Sequence, residues 1–156
     1  MAANHPLAHL VLPACKRFPT QAGALFQATV DLSLAQQWRD VEVVDLEECN
    51  CAVIKGRPPK SGAKSPPSFV YPMGLQQPTN LRQLTDVITA ISTRFPETAI
   101  PSEPSAASAL ADSPAASDTA TTATTTTIYL AMVEKDSSIV YYVLRNGIVS
   151  PKEVPE

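Results

Sequence analysis

The stretch that most constrains the fold is Thr127–Val149, which reads TIYLAMVEKDSSIVYYVLRNGIV. Two dense runs of β-branched and aromatic residues flank a polar tip at Glu134–Ser138, the pattern of strand, turn and strand. Arg145-Asn146-Gly147 predicts a second turn, because Asn-Gly accepts the positive φ angles of a type I′ hairpin. Ile128, Leu130 and Met132 fall on one face of the first run. Tyr129, Ala131 and Val133 fall on the other. A strand that is apolar on both faces must be covered on both, which puts it in the middle of a layered structure. The expected class is α/β (mixed α+β), with a small mixed central sheet flanked by helices.

The rest of the chain is read around that centre. Residues 1–19 carry Pro6, Pro13 and Pro19 and are expected to be an extended lead-in. A helix is predicted from about Thr20, with Leu25, Ala28, Thr29 and Leu32 at helical spacing. Trp38 follows. Val41–Val44 and Cys49–Ile54 read as two strands joined by an acidic turn at Asp45, Glu47 and Glu48. Gly56–Ser68 holds four prolines, two glycines and three cations without a large apolar residue, the composition of a flexible linker. Phe69–Tyr71 reads as a short strand stopped by Pro72. A second helix is predicted from Asn80. Thr79 or Asn80 would be its N-cap, Leu81, Leu84, Val87, Ile88 and Ile91 its apolar stripe, and Phe95-Pro96 its end. Pro101–Thr126 is nearly all Ala, Ser, Thr and Pro, with Leu110 as its one large apolar residue. It cannot bury enough surface to offset about 1–2 kcal/mol of backbone ordering per residue, so it reads as a disordered insertion. One domain is expected over 20–151, followed by a tail at 152–156.

A net charge of −3 gives no basic footprint of the kind an independent nucleic-acid binder shows. No apolar run approaches the roughly 20 residues that span a bilayer, so no membrane insertion is expected. The first residues lack the charged and apolar segments of a secretion signal. Three cysteines, Cys15, Cys49 and Cys51, read as reduced thiols rather than a disulfide framework. Cys49 and Cys51 lie two apart on a predicted strand, with both thiols on one side. Without further ligands nearby they read as core thiols, so no metal and no cofactor is expected. Trp38 beside an apolar helix reads as core, with a base-stacking platform as the alternative.

LAMVEKDSSIVYYVLRNG, Leu130–Gly147, resembles the last strands of the tRNA-splicing endonuclease fold. VDLSLAQQWRDVEVVDL, Val30–Leu46, resembles one subunit type of the eukaryotic enzyme, its small non-catalytic structural subunit. The likeness covers Leu25–Leu46 and Thr127–Pro151, with a looser fit over Asn80–Arg94, and a fungal source is expected from it. It implies a fold like the C-terminal domain of the tRNA-intron endonuclease, of restriction-endonuclease-like type. It also implies a heterotetramer in which this chain pairs with a catalytic subunit through its C-terminal strands, then joins a second pair made of a catalytic and a structural subunit, and meets precursor tRNA through the complex. The implied location is nuclear, with the cytosolic face of the mitochondrial outer membrane as the alternative.

Catalytic members of that family cut RNA without a metal, using a Tyr, a His and a Lys as base, acid and charge stabiliser. Here the only histidines are His5 and His9, and threonines precede Ile128 where the Lys would stand. No catalytic residue is therefore assigned. The expected partner interface is Tyr142, Leu144, Ile148 and Val149, together with Glu134 and Asp136 of the acidic tip, which the resemblance offers to a basic cleft on a catalytic subunit. Arg57, Lys60 and Lys64 are the candidate RNA contacts, with a solvated loop as the plainer reading. Two other functions stay open at this point: a stand-alone or homodimeric small ribonuclease, and a generic α/β protein-interaction module. In isolation, two copies pairing through the C-terminal edge would give a homodimer.

Overall fold

The computed structural model describes residues 5–101 and 124–145. Among these residues six strands form, β1 (Arg39–Leu46), β2 (Cys51–Arg57), β3 (Ser68–Gly74), β4 (Ala99–Pro101), β5 (Thr124–Val133) and β6 (Ile139–Arg145). The α-helices are α1 (Ala8–Arg17), α2 (Ala22–Val30) and α3 (Leu81–Arg94). β1, β2 and β3 run as antiparallel neighbours, β3 pairs parallel with β5, and β6 pairs antiparallel with β5. β4 pairs antiparallel with the first residues of β5. A parallel pair needs a long crossover, and α3 lies within it.

Both faces of the sheet are covered, as the two-sided β5 pattern requires. On one face Val87, Ile88 and Ile91 of α3 pack on Val53, Phe69, Tyr71, Ile128 and Leu130. On the other, Val11, Ala14, Leu25, Ala28 and Leu32 pack on Ala52, Ile54, Val70 and Ala131. The class is the expected mixed α/β one, a sheet between two helical layers.

The extended lead-in expected over 1–19 is corrected: Ala8–Arg17 is a helix. Leu7, Leu10, Val11, Ala14, Cys15 and Phe18 repeat at helical spacing, and Val11, Ala14 and Phe18 are buried against α2 and the sheet. Pro13 sits inside the helix, where it forgoes one backbone bond. Burial of the stripe, about 1.5–3 kcal/mol per large side chain, outweighs that loss. α2 ends in a wider π-type turn, Asp31–Ala35, that keeps Leu32 in the core.

The stop assigned to Pro72 is also corrected, since β3 runs on to Gly74. Ladder pairing of β2 with β3 ends at Ile54 and Val70, two register positions before Ala52 would meet Pro72. There the side chain of Gln21, only 2% exposed, enters between the strands. Its Nε2 donates to the carbonyls of Ala52 at 2.9 Å and Pro72 at 2.7 Å. Its Oε1 accepts from the Ala52 N–H at 2.9 Å. A residue's N–H and C=O leave a strand on the same side. The donor that Pro72 lacks would therefore have pointed at Gln21, while the β5 side of β3 keeps its pairing. Glutamine supplies the donor that proline cannot.

The predicted acidic turn is a 3₁₀ turn, Glu47–Cys49, closed by Asn50 at a φ of 50°. Cys49 therefore lies in a turn and only Cys51 in a strand, which corrects the two-thiols-on-one-strand reading. The turn is clamped from both helical layers. Arg17 bonds Asp45 at 2.8 Å and Glu47 at 3.1 Å, and Arg94 bonds the Asp45 carbonyl at 2.8 Å and Glu48 at 3.0 Å. α3 starts at the predicted cap, with Asn80 Oδ1 accepting from the Gln83 N–H at 2.8 Å, and stops at Phe95. Leu81 of the predicted stripe is 79% exposed, because the stripe meets the sheet only from Leu84 onward. Of the insertion assigned to Pro101–Thr126, Pro101 and Thr124–Thr126 are strand residues, and 102–123 lie outside the described residues.

Candidate functional site

The two edges of the sheet differ in kind. β1 carries Arg39, Asp40, Glu42 and Asp45, and its register slips between Arg39 and Glu42, with Asp40 at a φ of 54°. Charge and irregularity of that sort keep an edge from recruiting a further strand. β6 forms the other edge and is regular, pairing with β5 at every position from Ile139 to Arg145. Its outer side carries no strand among the described residues. Val140 and Tyr142 are each 51% exposed and Val143 is 54% exposed. No acidic residue interrupts the strand.

Sequence alternation decides what β6 shows. Ile139 and Tyr141 turn toward the α1–α2 layer and are packed there. The Tyr141 hydroxyl donates to Asp31 Oδ2 at 2.6 Å, tying β6 to the end of α2. Burial, then that hydrogen bond, raises the phenol above its ordinary range. Val140 and Tyr142 turn the other way, past the end of the α3 layer. With Leu75 and Met132 they line a groove of about 230 Å³ that ends at Glu134 and Ser138. Leu75 itself is 51% exposed. A regular strand thus offers a backbone edge that is unpaired among the described residues, and an apolar strip beside it.

The acidic tip is a tight turn. The Glu134 N–H donates to Ser138 O at 2.9 Å, and Ser137 takes a φ of 69°. Asp136 Oδ1 accepts from both the N–H and the hydroxyl of Ser138, at 2.9 and 2.6 Å. These bonds hold its carboxyl below the ordinary range. Asp136 is thus employed in shaping the turn. Glu134 borders the groove and also a larger cleft of about 580 Å³ between α2, the segment after β3 and this turn.

Of the expected interface residues, Tyr142 is exposed, Leu144 is half-buried against the α3-side core, and Ile148 and Val149 lie outside the described residues. Asn146-Gly147, read as the second turn, lies outside them too. Val140, Val143 and Leu75 were missed. Their residue types alone read as core, and only their place at the sheet edge leaves them open. Arg57 bonds the Ala63 carbonyl at 3.3 Å and pairs with Asp40 at 3.8 Å, so it is partly employed within its own loop. Lys60 and Lys64 are exposed. Arg39 joins them, reaching the carbonyls of Pro59 and Ser61. Trp38 lies edge-on to Tyr129 at 6.0 Å and over Gly56, which supports the core reading.

The profile of the family described as the Sen15 protein matches residues 27–103 and 97–155. The chain belongs to the Sen15 family. Sen15 is the non-catalytic subunit of the tRNA-splicing endonuclease complex, and membership implies association with the other subunits. The match takes in all six strands, and with them the β6 edge. No curated protein matches the chain.

Proposed function

We propose that β6 is the strand through which this Sen15 chain joins a catalytic subunit of the endonuclease, as part of a heterotetramer that excises introns from precursor tRNA. The observation that carries this reading is the contrast between the edges: β1 guarded by charge and a register slip, β6 regular and apolar. An added strand would take its affinity from main-chain hydrogen bonds and its specificity from side-chain pockets. The Leu75–Met132–Val140–Tyr142 groove is such a pocket. Leu144, Ile148 and Val149 would extend the contact along the chain, with Glu134 at its rim.

The chain's part in this reading is structural. His5 accepts from the Leu7 N–H and lies edge-on to Phe26, and His9 bonds the Pro6 carbonyl. Both belong to the start of the α1 layer. Tyr141 is bound to Asp31 and Tyr71 is buried. Incubated alone with an intron-containing precursor tRNA, the chain should give no cleavage. The basic loop with Lys60 and Lys64 would touch RNA only within the assembled complex, whose expected compartment is the nucleus. Without its partners the open β6 edge would pair with a second copy.

Co-expression with the other endonuclease subunits tests the assignment. Val140→Lys with Tyr142→Lys should abolish recovery of the complex while leaving circular dichroism unchanged, since both side chains are half in solvent. Glu42→Lys on the opposite edge should recover it normally. Equal recovery from all three chains, or loss from Glu42→Lys alone, would place the contact elsewhere.

A further inference from the structure

We propose that Ser65 is a phosphoacceptor for a proline-directed serine/threonine kinase, and that the cations of its own loop hold the phosphate, Arg57 and Lys64 foremost. The reading is independent of the β6 contact.

The loop between β2 and β3 is the most basic part of the chain. From Glu48 to Asp86 the sequence has no acidic residue, and Lys55, Arg57, Lys60 and Lys64 fall inside that gap. Two guanidinium groups organise the loop from beneath. Arg39 donates to the carbonyls of Pro59 at 3.3 Å and Ser61 at 3.0 Å, and Arg57 donates to Ala63 O at 3.3 Å. Each bond leaves further N–H donors of the fork free to turn.

The two serines within the loop differ. The Ser61 hydroxyl is tied to Pro58 O at 2.6 Å and is followed by glycine. Ser65 is followed by Pro66 and is partly exposed, and the side-chain bonds of the loop, from Arg57 to Ala63 and from Ser61 to Pro58, do not involve its hydroxyl. Its side chain lies over Gly62, with Oγ 3.6 Å from where a β-carbon would stand. Gly62, Ala63, Lys64 and Pro66 are exposed, so the segment around the hydroxyl can be reached. For the chain to extend across a kinase, the Ser65 N–H bond to Gly62 O, at 3.0 Å, and the Arg57 bond to Ala63 O, at 3.3 Å, must open.

In the reaction the Ser65 Oγ attacks the γ-phosphorus of ATP and its proton passes to the kinase's base. The bond to the β,γ-bridging oxygen breaks and ADP leaves. The product carries about −1.5 to −2 charge on three acceptor oxygens. Among the described residues Arg57 has only Asp40, at 3.8 Å, as an ion pair, a long contact. A dianion two residues from the carbonyl that Arg57 already holds is the stronger partner for a forked guanidinium. Phosphorylation would thus draw Arg57 from Asp40 and clamp the loop on β2.

The test uses the full chain with a purified proline-directed kinase, ATP and Mg²⁺, and maps the product by mass spectrometry. Ser65 should be modified, and Ser65→Ala should lose that peptide's label. The chain's other Ser-Pro pairs, Ser113-Pro114 and Ser150-Pro151, serve as internal comparison. Modification confined to those serines, or no modification at all, overturns the proposal. The phosphate's second ionisation, read by ³¹P NMR, tests the cradle. It should lie at least about half a unit below that of the free phosphopeptide of residues 59–68, which titrates near 6. Arg57→Gln should remove most of the difference. A phosphate that titrates like the free peptide would show that the loop cations do not hold it.

Discussion

Replacing Gln21 tests the account of the sheet most directly. The side chain belongs to the turn before α2, yet its amide completes the ladder between β2 and β3. Gln21→Leu keeps the apolar contacts and removes every polar one. The Ala52 N–H and the carbonyls of Ala52 and Pro72 then lose their partner in a site closed to water. Each buried group left unpaired costs about 1–3 kcal/mol. Some of that returns if β2 and β3 shift, so a loss of about 3 kcal/mol is expected. Against a typical stability of about 5–15 kcal/mol this is a large fraction. Urea unfolding followed by circular dichroism reads it as a lower midpoint at unchanged slope. A loss under about 1 kcal/mol would refute the reasoning. It would mean that Pro72 and Ala52 are satisfied without the amide.

Gln21→Glu sharpens the test. An ionised carboxylate can accept from the Ala52 N–H but faces two carbonyl oxygens. A protonated one can donate to one of them. Its folded-state pKa should therefore rise above the free value of about 4.3, and the variant should lose stability as pH rises through the interval between the two values. A variant whose deficit is flat with pH from 4 to 8 would show that the two carbonyls do not face this side chain.

Gly56→Ala should destabilise by about 1–2 kcal/mol, because the new β-carbon would stand 3.1 Å from Trp38 Cε3; an unchanged melting temperature would mean that the indole moves freely. Asn80→Ala should cost about 1 kcal/mol by freeing the Gln83 N–H, and Asn80→Asp should retain most of that stability. Alkali should destabilise the fold in steps. Burial pushes Cys51 up from 9.0 to about 12 and Tyr71 from 10.0 to about 12, so the unfolded chain releases protons first and stability falls as pH rises above about 9. Cys51→Ala should flatten the first part of that fall in a pH series of urea midpoints.

What the sequence made legible depends on where the deciding information lies. The β5 pattern carried its own answer, because two-sided burial is written in consecutive residues, and α3 announced itself through its cap, stripe and stop. The α1 spacing was equally present, yet Pro6, Pro13 and Pro19 outweighed it. Proline within a helix forfeits one bond, whereas six apolar residues on one stripe gain burial. Pro72 shows the harder case. Whether proline ends a strand depends on which neighbour its missing N–H would have faced, and here that neighbour is Gln21, 51 residues away in sequence. No local window contains that fact.

The candidate interface was half legible for the same reason. Tyr142 was named from its place among the C-terminal strands, while Val140, Val143 and Leu75 looked like core. Hydrophobic strands read identically whether a neighbour strand lies within the chain or must come from outside. The order of strands separates the two cases. β5 has β3 on one side and β6 on the other, whereas β6 has β5 alone among the described residues. β1 occupies the equivalent position at the far edge and is charged and irregular there. If the β6 apolar strip merely tolerated exposure, the two edges would carry similar residues. Their difference is what supports the proposed contact through β6.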